Sequence, residues 1–286
     1  MKLSSDIVGE EAGPIEHTLD ARWLMAYSAA LGETDPRYYD TAAAGGVLAH
    51  PLFPVCYEWP LALALRGRGD LASLHPRLLH AQHDLTIRRT PRAGETLRTS
   101  ARIAAVVQRR PGGLVVFRFE TRDAAGELVT VTDFGALYRR VPVDGIERFP
   151  AEGLEDPPPH SAALPRIGEI TVAATLGHVY SECARIWNPI HTDIAYARAA
   201  GLPDIILHGT ATLALSVSRA LAACGADPAE VHRIQCRFAG MVRMPSVLAV
   251  HAARDQGTLL FETRNEHGEL VIERGWLRMR GADAGN

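Results

Sequence analysis

At 286 residues with 47% apolar content, the chain can form one large domain or two ordinary ones, each with its own core. A net charge of −3 gives no drive toward nucleic acid or an anionic membrane surface, and the arginine pairs Arg88/Arg89, Arg109/Arg110 and Arg139/Arg140 are separated by apolar or turn sequence, as solvated strand ends are. Cys56, Cys183, Cys224 and Cys236 show no CxxC spacing, and no apolar run approaches the roughly 18 residues of a membrane span, so a reduced, cytoplasmic protein is expected.

Leu19, Trp23, Leu24, Tyr27 and Leu31 recur at helical spacing, which predicts a helix over Thr18 to Leu31 closed by Gly32. A proline turn and a short alanine-rich helix ending at Gly45 and Gly46 come next. Leu52 to Leu65 then reads as an apolar helix interrupted by Pro54 and Pro60. From His83 to Arg140 the period changes to two, and HDLTIRRT, TLRTSARIAAVVQ, LVVFRFETRD and LVTVTDFGALYRR read as strands of an antiparallel meander. Residues 141–167, rich in proline and acid without apolar period, read as a linker across the surface between residues 1–140 and 168–286.

The second half repeats the first. YSAALGETDPRYYD at Tyr27 lines up without a gap with YSECARIWNPIHTD at Tyr180, and FETRDAAGELV at Phe119 with FETRNEHGELV at Phe261. The interval between the matched segments is shorter in the second copy, so its loops are shorter. Each copy carries a helical lead-in, a long apolar helix (Gly209 to Cys224 in the second) and about four antiparallel strands. One face of such a sheet needs cover, which a long helix provides. An α+β fold follows, with a sheet wrapped around a helix twice.

NPIHTDIAYARAAGLPDIILHG resembles the hydration motif of MaoC-like and (R)-specific enoyl-CoA hydratases, which runs Gly-Asp-x-Asn-Pro-x-His and reaches a Pro-x-x-His-Gly downstream. YSAALGETDPRYYD is similar to the N-terminal partner domain of two-copy members. The resemblance implies a double hot-dog fold, a pseudo-dimer in one chain, acting on acyl-CoA or acyl-carrier-protein thioesters as a hydratase/dehydratase without cofactor or metal. It leaves room for a homodimer of pseudo-dimers. His191 falls on the catalytic histidine and Asn188 on the motif asparagine, with Ile186, Trp187, His208 and Gly209 expected to contact substrate. The chain departs from the pattern where Ile186 replaces the motif aspartate and Arg185 the glycine before it.

Dehydration of a 3-hydroxyacyl thioester needs a base near the α-carbon, a proton for the leaving hydroxyl and donors at the thioester oxygen. His191 can be base and then acid. The backbone N–H of Gly209, at the start of the long helix, suits the thioester oxygen, and His208 is expected to orient this loop. Asn188 either positions water or forms the turn, while Asp193 suits a helix cap better than a replacement acid. In the first copy Glu33, Asp35 and Tyr38 stand where Ile186, Asn188 and His191 stand in the second, so that copy is read as shaping the acyl pocket. Two other readings remain open: a hot-dog thioesterase, and a non-catalytic acyl-CoA-binding or subunit-partner protein that lost the aspartate.

Overall fold

The computed structural model describes residues 1–149, 163–255 and 257–281. The first half contains β1 (Leu3–Ser4), β2 (Glu11–Thr18), α1 (Ala21–Ala30), α2 (Pro54–Arg66), α3 (Gly69–Leu74), β3 (Leu78–Ile87), β4 (Thr96–Arg109), β5 (Gly112–Arg122), β6 (Leu128–Arg139) and β7 (Val143–Asp144). The second contains β8 (Arg166–Val172), α4 (Leu176–Ala184), α5 (Ile194–Ala199), α6 (Gly209–Ala223), β9 (Val231–Phe238), β10 (Ser246–Asp255), β11 (Thr258–Arg264) and β12 (Leu270–Met279).

Ten strands form one sheet in the order β2-β4-β5-β6-β3-β9-β12-β11-β10-β8. The halves join where β3 and β9 pair antiparallel with Asp84 opposite Gln235, and Arg233 forks onto Asp84 across this seam at 2.9 and 2.7 Å. Helix α2 packs on β2 and β4, and α6 on β8, β10 and β11. The fold is therefore α+β, a double hot-dog with two helix-wrapping halves fused along one sheet. The repeat becomes physical contact where α1 packs on α4: the matched Tyr27 and Tyr180 place their hydroxyls 3.4 Å apart at the core.

The long helices follow their sequence signals. Pro54 sits in the first turn of α2, where a missing N–H costs nothing, and Pro60 lies on its exposed side. Helix α1 begins three residues later than its period suggests because the Asp20 carboxylate accepts the Trp23 N–H at 2.7 Å and caps it there. Strand β2 escapes the sequence pattern because Gly13 and Pro14 break its alternation and shift its register on β4, which an edge strand tolerates. Residues 141–167 are not all linker: β7 pairs in parallel with β1, and β8 already starts at Arg166. The middle of that stretch, residues 150–162, lies outside the described residues. Among the described residues no helix is long and apolar enough to cross a membrane.

Candidate active site

The motif turn begins where α4 ends. Arg185, its C-cap, has φ 58°, the left-handed conformation that explains why the related motif carries glycine at this position. The arginine is held there by its guanidinium over the Trp23 ring at 4.2 Å and by Asp20 at 3.6 Å. The turn sends Ile186 inward, 4% exposed, and Trp187 outward, 57% exposed. Asn188 then caps the 3-10 turn Pro189–His191 through its side-chain oxygen, and Asp193 caps α5 by accepting the N–H groups of Ala195 and Tyr196 at 2.8 and 3.1 Å. The turn lies so close against α4 that a Cβ on Gly177 would come 2.7 Å from the His191 carbonyl oxygen.

His191 Nδ1 lies 2.8 Å from the Ile206 carbonyl oxygen. A carbonyl only accepts, so Nδ1 carries the proton and Nε2 keeps its lone pair. Burial pushes the His191 pKa down to about 4, against the raising effect of that hydrogen bond, so the ring is a neutral base at ordinary pH. The His208 ring stacks on it at 3.7 Å and is itself pushed well down, by burial and then by its neighbour. His208 Nε2 is held by the Ile186 carbonyl at 3.3 Å and the Ser181 hydroxyl at 3.1 Å, which fixes the loop entering α6. The N–H groups of the first turn of α6, starting at Gly209, have no partner within the helix and point with its dipole.

These groups face a cavity of about 420 Å³ lined by Ile186, Asn188, His191, His208 and Gly209 on one side. The other wall comes from the first half: Val55, Glu58, Trp59, Ala62 and Arg66 of α2, with His80 and Phe134. Trp187, expected to contact substrate, is turned outward after Ile186 and does not line the cavity. Glu58 is a carboxyl that the motif does not announce. It is 4% exposed, accepts the Thr132 hydroxyl at 2.6 Å, and is pushed up to about 8 by burial against that hydrogen bond, so it stays protonated at neutral pH.

The first copy holds no equivalent base. Glu33 accepts the Ser218 hydroxyl of α6 and lies 3.6 Å from His50 Nε2. His50 Nδ1 accepts the Leu52 N–H at 3.1 Å, so its Nε2 carries the proton and donates to Ser218. Asp35 is forked by Arg37, and Tyr38 is buried. None of these four lines the His191 cavity. Among the described residues no group of three histidine, cysteine or acidic side chains is placed to hold a metal.

Residues 171–274 match the family model of the MaoC like domain, and residues 6–132 that of the FAS1-like dehydratase domain region. Peroxisomal multifunctional enzyme type 2 of Drosophila melanogaster is 28% identical over 213 residues, 72% of this chain and 35% of that protein. Its full-length structure superposes with a TM-score of 0.78 at 23% identity over 94% of this chain and 48% of that chain. The peroxisomal Enoyl-CoA hydratase 2 of Arabidopsis thaliana is 28% identical over 96 residues, 33% of this chain and 31% of that protein. The chain thus spans about a third of the length of these curated relatives. A MaoC-like dehydratase from Phytophthora capsici shares the fold with a TM-score of 0.81 at 19% identity, covering 96% of this chain and 98% of that one. The chain thus pairs a FAS1-like dehydratase region in its first half with a MaoC-like domain in its second.

Proposed function

We propose that the protein is an acyl-thioester hydratase/dehydratase that interconverts 3-hydroxyacyl and 2-enoyl thioesters of CoA or a carrier protein without a cofactor. In this reading residues 168–286 carry the base and residues 1–140 shape the acyl pocket. The observation that carries it is the tautomer of His191: with Nδ1–H given to Ile206, the free Nε2 is a base at a cavity that also receives the α6 N-terminus. In dehydration, His191 Nε2 takes the α-proton while the Gly209 N–H stabilises the thioester oxygen as it gains enolate charge. The 3-hydroxyl leaves as water once it is protonated. The motif aspartate being Ile186, the neutral Glu58 carboxyl supplies that proton from the opposite wall, and hydration runs the same transfers in reverse. Asn188 holds the turn that aims His191.

Incubation with a short 2-enoyl-CoA tests this directly. Loss of the enoyl absorbance without release of free thiol is expected; free thiol would mean a thioesterase, and binding without turnover a non-catalytic acyl-CoA-binding protein. Glu58→Gln, which keeps the acceptor for Thr132 but has no proton to give, should lower kcat by about 10²-fold or more, the worth of one acid-base group. Retention of full activity in that variant would return the proton transfer to His191 alone.

A further inference from the structure

The end of the cavity away from His191 is built for more than hydrocarbon. Arg66, in the last turn of α2, lines the cavity and is 4% exposed. Its Nε and Nη2 are buried without a hydrogen-bond partner, and no carboxylate among the described residues pairs with it. The guanidinium lies against rings instead, 4.5 Å from Phe134, 5.2 Å from Trp59 and 5.9 Å from Phe117. Two more buried donors in the same region are idle, the Trp59 indole N–H and the Tyr138 hydroxyl, and Tyr138 is near enough to influence the Arg66 charge. Ring contacts offset only part of the cost of taking a guanidinium out of water. A cluster of buried donors without an acceptor is completed by an anion.

Among the described residues no side chain supplies that anion. Glu58 is the only acidic one of them on the cavity wall; it lies eight residues back along α2, about 12 Å at helical rise, and is engaged with Thr132. Two independent paths place Arg66 opposite the base. On α2, Val55, Glu58, Trp59, Ala62 and Arg66 form one stripe that extends about 16 Å along the axis. Its start adjoins Tyr180, whose ring is 4.9 Å from that of His208, because Phe53 at the N-cap of α2 and Tyr180 both pack on the Tyr27 ring, at 5.5 and 5.7 Å. On the sheet side, a Cβ at Gly209 would lie 3.3 Å from the Phe238 ring, followed by His80 at 4.4 Å, Phe134 at 3.6 Å and then Arg66. An acyl chain whose thioester oxygen sits at Gly209 and which follows these rings ends at the guanidinium. Arg139, exposed on the cavity rim at the end of β6, adds a second cation and no anion.

We propose that Arg66 binds a carboxylate at the far end of the acyl chain, so that the substrate is an ω-carboxylated 2-enoyl or 3-hydroxyacyl thioester rather than a plain fatty acyl one. This rests on the hydratase/dehydratase reading of the same cavity, and two measurements on the wild-type protein keep the two separable. In the first, kcat/KM is compared between 2-enoyl-CoAs of matched length ending in methyl or in carboxylate. The carboxylated substrate should be preferred by about 10- to 100-fold at its best length, the range expected for hydrogen bonds to a charged group, and Arg66→Gln should bring the ratio toward unity through KM. In the second, saturated acyl-CoA and ω-carboxyacyl-CoA of the same length are titrated calorimetrically, which needs neither turnover nor a folded variant. Tighter binding of the carboxylated analogue without turnover of any enoyl-CoA would sustain the carboxylate site and sink the hydratase reading. Turnover with equal or better efficiency on methyl-ended substrates at every length, together with no difference in binding, would overturn the carboxylate site and leave the hydratase reading standing.

Discussion

His191→Ala should lower kcat/KM by about 10²–10⁴-fold, the contribution of a positioned general base. The reason lies in the ring's two ends: one nitrogen is tied to the Ile206 carbonyl, which leaves the other with its lone pair on a ring that lines the cavity. His208, the nearest ring, is fixed by its Nε2 on Ile186 and Ser181 and serves to hold the loop rather than to meet the α-carbon in this reading. The fold should survive, since the substitution removes one hydrogen bond and a ring stack beside a cavity that water can enter. The wild-type pH profile carries a second signature. Burial pushes His191 down to about 4, so the base is free above that pH and lost below it. Burial pushes Glu58 up to about 8, so the acid holds its proton below that pH and loses it above. A bell with limbs near these two values is expected for kcat/KM, where an unperturbed histidine would give an acid limb near 6.5. A variant that keeps most of its kcat, or an acid limb at the ordinary histidine value, would remove His191 from the role of buried neutral base.

What the sequence made legible follows from where each signal is stored. The repeat was readable because its matched residues do matched work: Tyr27 and Tyr180 meet at the centre of the molecule, and the two FETR segments lie in β5 and β11. One wall of the cavity was readable for the same reason, since Ile186, Asn188, His191, His208 and Gly209 lie within one contiguous motif whose turns and caps are local chemistry. The outward turn of Trp187 was not readable, because a single left-handed residue, Arg185, decides which of two neighbours points inward. The other wall was invisible. Glu58, Arg66, His80 and Phe134 are brought to the motif by α2 and by the β3–β9 seam, a long-range pairing that no local period encodes. A signal for part of it did exist in PVCYEWPLALALR, where Glu58 and Arg66 fall on the same stripe as Val55, Trp59 and Ala62 in an otherwise apolar helix. Ionisable groups on the apolar face of a core helix need partners, and here Glu58 meets a threonine while Arg66 meets aromatic rings and the cavity.

The protein should also be acid-labile well above the carboxylate range. His83 is 1% exposed with both ring nitrogens unpartnered, and burial pushes it down to about 4. His191 is pushed equally low by burial, while His80 and His208 are driven well below the ordinary histidine value, burial again being the main cause. In the unfolded chain all four titrate near 6.5. Between about pH 6.5 and 4 the unfolded state therefore binds more protons than the folded one, and stability falls as pH falls through that window. Glu58 has the opposite sign: raised in the fold, it costs stability as pH rises from its unfolded value toward about 8, so acidification returns part of one proton. Four lowered histidines against one raised carboxyl leave a net uptake of protons on unfolding, and each such proton tilts stability by about 1.4 kcal/mol per pH unit. The urea midpoint should thus be highest near neutrality and collapse between about pH 6.5 and 4.5. His83→Leu, of similar volume and outside the cavity wall, should flatten that slope by about one proton and stabilise the protein more at pH 5 than at pH 7. A midpoint that stays level from pH 7 to 5, or a His83→Leu slope identical to that of the wild type, would mean that these rings carry their protons inside the fold.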